Sequence, residues 1–514
     1  MKAKYHFFAT VYFLWIVLAC LLTAAAFADE YPDSFNNQAA ASGASVLLKN
    51  GPVRYRLIEG STLLDECLFC DRLSVPVPIR GTFWLVPKEP DMWFLHFAVR
   101  NLRFNSSRTD VRYFGLLEGD YEIGGDFAFV HRMTLQGSIN NNQGLSFDSG
   151  VVFPTMGLPW IEIELEQCKP DDPLHVFRLH LTAVPWPQVG FSTAAGFHPS
   201  VRTVLDKTYI SDGDLLTVHG RILRTNAQLT SRLGIMPLVP DVGLDAVIGA
   251  RWPQLTSRDC KCRTFWFSME QDIFSEILGP LHQGDLLSEA GFIVRRFTDF
   301  IRPFCPQPPV PDYGLDAVTF SPSGRLLFSV EKGFFSESLG VMISPGDLLS
   351  EDGRIYRTNA QLLKQFETAQ SSVGEYQDVG LDAVYVWPHG EIWFSTEKDF
   401  ADKRFGWIGH GDLLSDTGRI IARNRELTAP FKPIEDLADF GLDALHIVWP
   451  ILRADINGDG IVNLDDFAAF SNYWSLRTDN AADVCDYNID LSKDYAVNAQ
   501  DLTVFADDWL LCAE

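Results

Sequence analysis

Four blocks between about residues 186 and 450 carry the same landmarks in the same order, so this stretch folds by repeating one supersecondary unit. A Phe-Ser segment comes first, in Gly190-Phe191-Ser192-Thr193, Trp266-Phe267-Ser268-Met269, Leu327-Phe328-Ser329-Val330 and Trp393-Phe394-Ser395-Thr396. Gly-Asp-Leu-Leu follows, beginning at Gly213, Gly284, Gly346 and Gly411, at intervals of 71, 62 and 65 residues. After a turn at Gly220, Gly291, Gly353 or Gly418 comes Asp-x-Gly-Leu-Asp-Ala, with paired acids Asp241/Asp245, Asp312/Asp316, Asp378/Asp382 and Asp439/Asp443. Each block is expected to hold four short strands, in the third Asp316–Phe320, Arg325–Glu331, Asp347–Ser350 and Arg354–Thr358. A four-stranded sheet repeated radially is a propeller blade, and a linear array of sheets is the alternative. The units exceed the usual length of roughly 40–50 residues, which implies a long loop between the first two landmarks. Leu181-Thr182-Ala183-Val184 reads as a degenerate fifth copy that ring closure would use.

The repeated acids allow two readings. Four Asp-x-Gly-Leu-Asp sites could ring an axis and hold cations. Alternatively each Asp caps a tight turn through its own backbone while the Gly supplies positive φ. The second is favoured because the pattern recurs in every unit, whereas sites of action break a repeat's symmetry. Those breaks are Trp252, Trp407, His410 and the Pro-rich run from Phe304 to Pro309.

Ahead of the repeats, Lys2 and Lys4 precede an uncharged apolar run that closes in Ala26-Phe27-Ala28. This reads as a signal peptide over 1–28, with an uncleaved anchor or a lipoprotein on Cys20 as alternatives. Residues 29–45 lack periodicity and are expected to be a flexible lead-in. From 46 to 185 alternating segments such as Thr82-Phe83-Trp84-Leu85-Val86 point to an antiparallel β-sandwich or barrel. The Glu residues of Ile161-Glu162-Ile163-Glu164-Leu165-Glu166 fit the wet face of a half-buried strand better than a catalytic array. Loss of Cys20 leaves eight of nine cysteines, an even count that in an exported chain favours disulfides over free thiols. Cys67-Leu68-Phe69-Cys70 and Cys260-Lys261-Cys262 lack the neighbours that a zinc or redox centre needs, so structural bridges are expected there too.

Residues 455–466 place oxygen ligands at loop positions 1, 3, 5, 9 and 12, namely Asp455, Asn457, Asp459, Asn463 and Asp466. Gly460 stands where the chain must turn, and Ile461 offers its carbonyl at position 7. Calcium needs six to eight oxygens around one point, and alternate residues of a tight loop supply them. A second copy uses Asp490, Ser492, Asp494, Asn498 and Asp501, with Ala496 at position 7. Tyr495 replaces the turn glycine and Ser492 is a poorer ligand, so weaker binding is expected. Each loop leads into a short amphipathic helix whose apolar face (Phe467, Phe470 and Trp474; Leu502, Phe505 and Trp509) is expected to pack against the other.

The segment before the first loop, Leu445-His446-Ile447-Val448-Trp449-Pro450, reads as a strand, so the entering helix of a full EF-hand is missing. Two loop-plus-exit-helix units of this kind resemble a dockerin domain, over about 451–514. The resemblance implies calcium-dependent docking onto a cohesin-like protein or cell-surface scaffold, often in the company of polysaccharide-degrading enzymes. Cys485 and Cys512 bracket the second repeat and form a candidate bridge, which would stabilise by roughly 3–4 kcal/mol on the chain-entropy model.

The chain's 42 basic and 67 acidic residues give −25, a balance that repels nucleic acid and anionic membranes. Part of this acidity is local, since 451–514 holds 13 acids and 3 bases. No later segment is long and apolar enough to span a membrane once the leader is removed. With no nucleophile elbow, HExxH or phosphate loop, the expected function is that of an exported, non-catalytic binding or surface protein. The alternative is a polysaccharide-degrading enzyme, a glycoside hydrolase, whose carboxylate pair the sequence cannot locate.

Overall fold

The computed structural model describes residues 52–448 except 68, 71–73, 107–111, 126–128, 156–157, 169–173, 201–207, 238, 240, 251–263, 310–311, 369–377 and 438. In the C-terminal region it describes 454, 456, 462, 464–471, 474, 491, 497–507 and 509. The fold is mainly β, and its strand pairings are antiparallel throughout these residues.

Nine strands make the first unit: β1 (Val53–Leu57), β2 (Thr62–Glu66), β3 (Val77–Pro87), β4 (Phe94–Ser106), β5 (Phe114–Gly124), β6 (Val130–Ile139), β7 (Asn142–Asp148), β8 (Ile161–Gln167) and β9 (Val176–Pro185). They form a single sheet whose hydrogen bonding returns on itself, with β3 pairing to β4 and both β1 and β2 bridging β3 to β9. Alternation along each strand sends Tyr55, Phe83, Phe97, Phe104 and Tyr121 into one core. Gly81 permits the tight β3–β4 crossing, because a Cβ there would lie 1.9 Å from the Arg103 carbonyl oxygen.

The repeats build four four-stranded sheets. Sheet II consists of Val247–Ala250, Thr264–Phe267, Leu286–Ser288 and Phe292–Arg295. Sheet III consists of Val318–Phe320, Leu326–Phe328, Leu348–Ser350 and Arg354–Arg357, and sheet IV of Val384–Val386, Ile392–Phe394, Leu413–Ser415 and Arg419–Ala422. Sheet I is composite. Its strands Gln188–Phe191, Leu215–Thr217 and Ile222–Arg224 take their fourth partner, Leu445–Val448, from the far end of the repeats. The segment Leu181–Val184 is not that closing copy; it belongs to β9, where Leu181 and Ala183 pair with Ile163 and Ile161.

The Phe-Ser motif ties each sheet to the next. Each serine is fully buried and donates its hydroxyl to the leucine carbonyl that precedes the next sheet's inner strand. Ser192 bonds Leu244 at 3.1 Å, Ser268 bonds Leu315 at 3.0 Å, Ser329 bonds Leu381 at 3.0 Å and Ser395 bonds Leu442 at 2.7 Å. The fourth bond returns to sheet I, and the inner strands touch in the same cyclic order around a cavity of about 590 Å³.

The Gly-Asp-Leu-Leu carboxylate is a clip. Asp347 accepts from Ser344 N at 2.9 Å and Asn359 N at 3.1 Å, with the same pairs of backbone donors at Asp214, Asp285 and Asp412. The expected long loop between landmarks is a two-stranded hairpin in three repeats, as in Phe400–Asp402 with Gly406–Ile408. A helix of about one turn also follows each outer strand, from Asn226, Phe297, Asn359 and Asn424.

Two helices, Leu464–Ser471 and Ala499–Asp507, carry the C-terminal region, where Phe470 stacks on Phe505 at 5.4 Å inside a small core. The apolar faces meet through these two rings and Phe467, although Phe467, Trp474, Leu502 and Trp509 remain 41%, 48%, 38% and 37% exposed.

Candidate functional site: a cavity between the two β units

The nine-stranded unit packs against sheets I and IV. Trp160 and Trp186 join Trp387 and Trp393 in one apolar cluster. Around it lies an ionic lattice. Arg423 binds both carboxylate oxygens of Glu59 at 2.9 Å and Asp412 at 2.8 Å. Arg56 and Arg80 converge on Glu426 at 2.6 and 2.9 Å. Arg56 also lies 4.3 Å from the centre of the Trp186 ring.

Beside this lattice opens a cavity of about 650 Å³, bounded by Glu59, Arg80, Asp399, Trp407, Arg423 and Arg425 among others. The hairpin Phe400–Asp402/Gly406–Ile408 presents Trp407 with 65% of its surface exposed, while Arg423 fixes the hairpin by donating to the Trp407 carbonyl at 2.7 Å. Asp399, just before the hairpin, accepts from the backbone N of His410 at 2.8 Å and pairs with the His410 ring at 2.9 Å. Burial pushes the Asp399 carboxyl up, but hydrogen bonds from the His410 ring and backbone and from Trp407 outweigh it and hold it below the ordinary carboxylate range. Thus two of the symmetry breaks, Trp407 and His410, meet on one carboxylate.

Asp439 completes the group: one ligand atom from each of Asp399, His410 and Asp439 lies within 4.8 Å of the others. Both Asp439 oxygens already accept backbone N–H groups, from Gly441 at 2.9 Å and Gly411 at 3.1 Å. A related group, Asp272, His282 and Asp312, stands in the second repeat, while the first and third carry Gly196 and Gly333 where the acid would be. Lining the repeats up against one another would have exposed this alternation. Glu59, Arg80 and Arg423 carry no such signal, because only the packing of two units joins positions more than 340 residues apart.

The paired acids of Asp-x-Gly-Leu-Asp separate into two kinds. Asp241, Asp312, Asp378 and Asp439 each accept from the glycine two residues on, at 3.1, 2.8, 2.8 and 2.9 Å. Those glycines, Gly243, Gly314, Gly380 and Gly441, have φ between +72° and +77°. These first acids are therefore turn caps. The second acids make no such bond among the described residues.

Of the residues expected to form the first calcium loop, Asp466 lies within the described residues, as do Asn498 and Asp501 of those expected for the second. Asp455, Asn457, Asp459, Ile461, Asn463, Asp490, Ser492, Asp494 and Ala496 lie outside them. Asp466 and Asp501 are fully buried, and each accepts a backbone N–H at 2.8 Å, from Ile456 and Asn498 respectively. An all-oxygen donor set with a buried carboxylate at position 12 fits a hard cation.

Cys485 and Cys512 lie outside the described residues, as do Trp252, Cys260 and Cys262. Cys67 and Cys70 form a disulfide, whereas Cys168 and Cys305 are exposed and make no bridge among the described residues. Among the described residues no helix is long and apolar enough to cross a membrane. Comparison with protein-family models, curated proteins and solved structures finds no match to this chain.

Proposed function

We propose that this chain is an exported, non-catalytic glycan-binding protein. Its four sheets act as a propeller-like ring that, with the nine-stranded unit, frames the ligand cavity. Its dockerin-like tail docks in a calcium-dependent way onto a cohesin-like protein or cell-surface scaffold. The observation that carries the reading is the cavity itself, with exposed Trp407 beside a fixed array of carboxylates and guanidinium groups. A sugar ring offers an apolar face to an indole and hydroxyls to charged acceptors and donors. Closure of the serine bonds around four sheets supports the ring, and the Phe470–Phe505 core with two buried position-12 carboxylates supports the tail.

One observation favours glycoside hydrolysis as a second reading: Asp399 and Asp439 bring carboxylate oxygens within 4.8 Å beside Trp407. A hydrolase needs one carboxyl kept protonated as the acid. Asp399 is held on the ionised side, and Asp412, which burial raises, is paired to Arg423. Binding is therefore preferred.

A glycan panel with the full chain tests both readings. We expect retention of at least one oligosaccharide class, a loss of about tenfold or more in Trp407→Ala, and no reducing-sugar release. Failure to retain any glycan would reject the cavity as a glycan site, and sugar release that disappears in Asp399→Asn would install the hydrolase instead.

A further inference from the structure

Asp245, Asp316, Asp382 and Asp443 each stand two residues before an inner strand of the closed ring, so the same register brings all four to one end of the axis. Glu270, Glu331 and Glu397 follow the Phe-Ser strands and lie against the turn glycines. A Cβ on Gly243, Gly314 or Gly380 would fall 2.3, 2.2 or 2.4 Å from the carboxyl carbon of the corresponding glutamate. In sheet I that place is taken by Ala194, which meets Gly441 in the same way. Asp212 restores the missing charge, acting electrostatically on both Asp443 and Glu270.

These groups differ from every other buried acid of the repeats. The clip aspartates each receive two backbone N–H groups, and the turn-capping aspartates receive at least one. Asp245 Oδ2, Asp316 Oδ2 and Glu397 Oε1 are instead buried with no hydrogen-bond partner, and Asp316 is only 7% exposed. Glu331 takes both its oxygens to the amide of Gln283, at 3.0 and 2.9 Å, with Lys332 at 4.0 Å on the rim. Asp316 and Glu397 lie close enough to act on each other's titration. Burial and then the neighbouring acids push Asp245, Asp316 and Asp382 well above the ordinary range, and Asp443 to about 8. A buried carboxylate without donors is costly, and several together more so, unless something positive joins them.

We propose that this axial carboxylate cluster is a divalent-cation site, and that calcium is its ion. The donors are hard oxygens, and one divalent ion neutralises two carboxylates at once, which scattered protons do singly. A turn or packing role would be served by Asn at these positions, yet a carboxylate stands in all four quarters, with Asp212 where the glutamate is lost. Among the described residues, three ligand atoms converge within 4.8 Å around Asp399 and Asp272 but not here, so an ion at this cluster requires water to complete its shell or the carboxyls to draw together. Calcium accepts such mixed coordination.

The test uses the full chain with its tail loops silenced by Asp455→Ala, Asp459→Ala, Asp490→Ala and Asp494→Ala. Equilibrium dialysis against calcium should leave about one equivalent bound, and calcium should raise the thermal midpoint of the repeats. Adding Asp316→Asn and Asp382→Asn should abolish both effects while preserving the near-ultraviolet dichroism. In chelator the doubly amidated chain should melt higher than its parent, because repulsion has been removed. Glu397→Gln alone should weaken calcium binding by about tenfold. The proposal is overturned if the tail-silenced chain binds no calcium, or if the amidated chain keeps its equivalent. Either result leaves the glycan cavity and the docking tail to stand or fall on their own experiments.

Discussion

At the scale of single residues, His131 shows how burial alone creates a pH dependence. It lies 2% exposed in the core of the nine-stranded unit, its ring edge-on to Tyr121, with the Tyr121 hydroxyl 3.2 Å from Nδ1. Burial lowers its pKa to about 4 from the ordinary 6.5, so the folded protein keeps a neutral ring hydrogen-bonded to the phenol. As pH falls through 6.5 the unfolded chain takes up a proton first. Stability therefore declines from about 6.5 down to about 4, by roughly 3 kcal/mol at full extent. Urea unfolding of the wild type and His131→Phe at pH 7 and pH 5 isolates this contribution. The wild type should lose about 2 kcal/mol more than the variant over that interval. Equal losses would show that His131 is not the group responsible.

At the scale of elements, the repeats are held by a few polar clips between short strands. Asp347 joins the turn before its strand to the first residue of a one-turn helix, and it is 6% exposed. Asp347→Asn turns an NH₂ toward a backbone donor and should cost about 1–3 kcal/mol. Asp352, on an exposed turn of the same sheet and bonded to Arg325, should cost under about 1 kcal/mol when changed to Asn. Thermal unfolding of the two variants should rank them in that order, and a reversal would remove the clip from the account. This division between local and distant partners also explains what the sequence disclosed. The turn caps at Asp241 and its counterparts were legible, because an Asp and the glycine two residues on suffice to define them. The one-turn helices went unread because so short an element has no helical period. Their capping boxes, Thr225 with Gln228 and Thr358 with Gln361, were nevertheless present in the chain. Hairpins of three-residue strands are likewise too short to show alternation. The second acids of the motif were read as turn caps like the first, and their different role was not legible because their surroundings exist only once Leu445–Val448 returns to pair with Gln188–Phe191.

At the scale of the whole molecule, the two β units are joined through side chains that each unit would leave exposed alone. Glu162 was legible only as a wet-face residue of β8, yet at its end of that strand the carboxylate meets sheet IV and binds Arg419 at 2.7 Å. Across the same junction Trp160 donates to Glu391 at 2.9 Å, and Glu391 also accepts from Trp393 and Ser415 at 2.8 and 2.6 Å. The Glu162 carboxyl is held at about 2, first by hydrogen bonding to His180, then against burial by Arg419 and Thr155. For an acid whose folded pKa is depressed, the stabilisation is fully present above the ordinary Glu value near 4.3. It is lost as pH falls through that value toward 2. The side chain is 20% exposed, so the stabilisation is at most about 3 kcal/mol. Glu162→Gln should therefore weaken the junction at pH 7, seen as earlier or separate unfolding of one unit by calorimetry, while wild type and variant converge near pH 2. The cavity depends on the same junction, since Glu59 and Arg80 reach it from one unit and Trp407 and Arg423 from the other. Glycan retention by Glu162→Gln should fall together with the junction's stability, although Glu162 does not line the cavity. Full retention in a chain whose units have come apart would place the ligand on one unit alone.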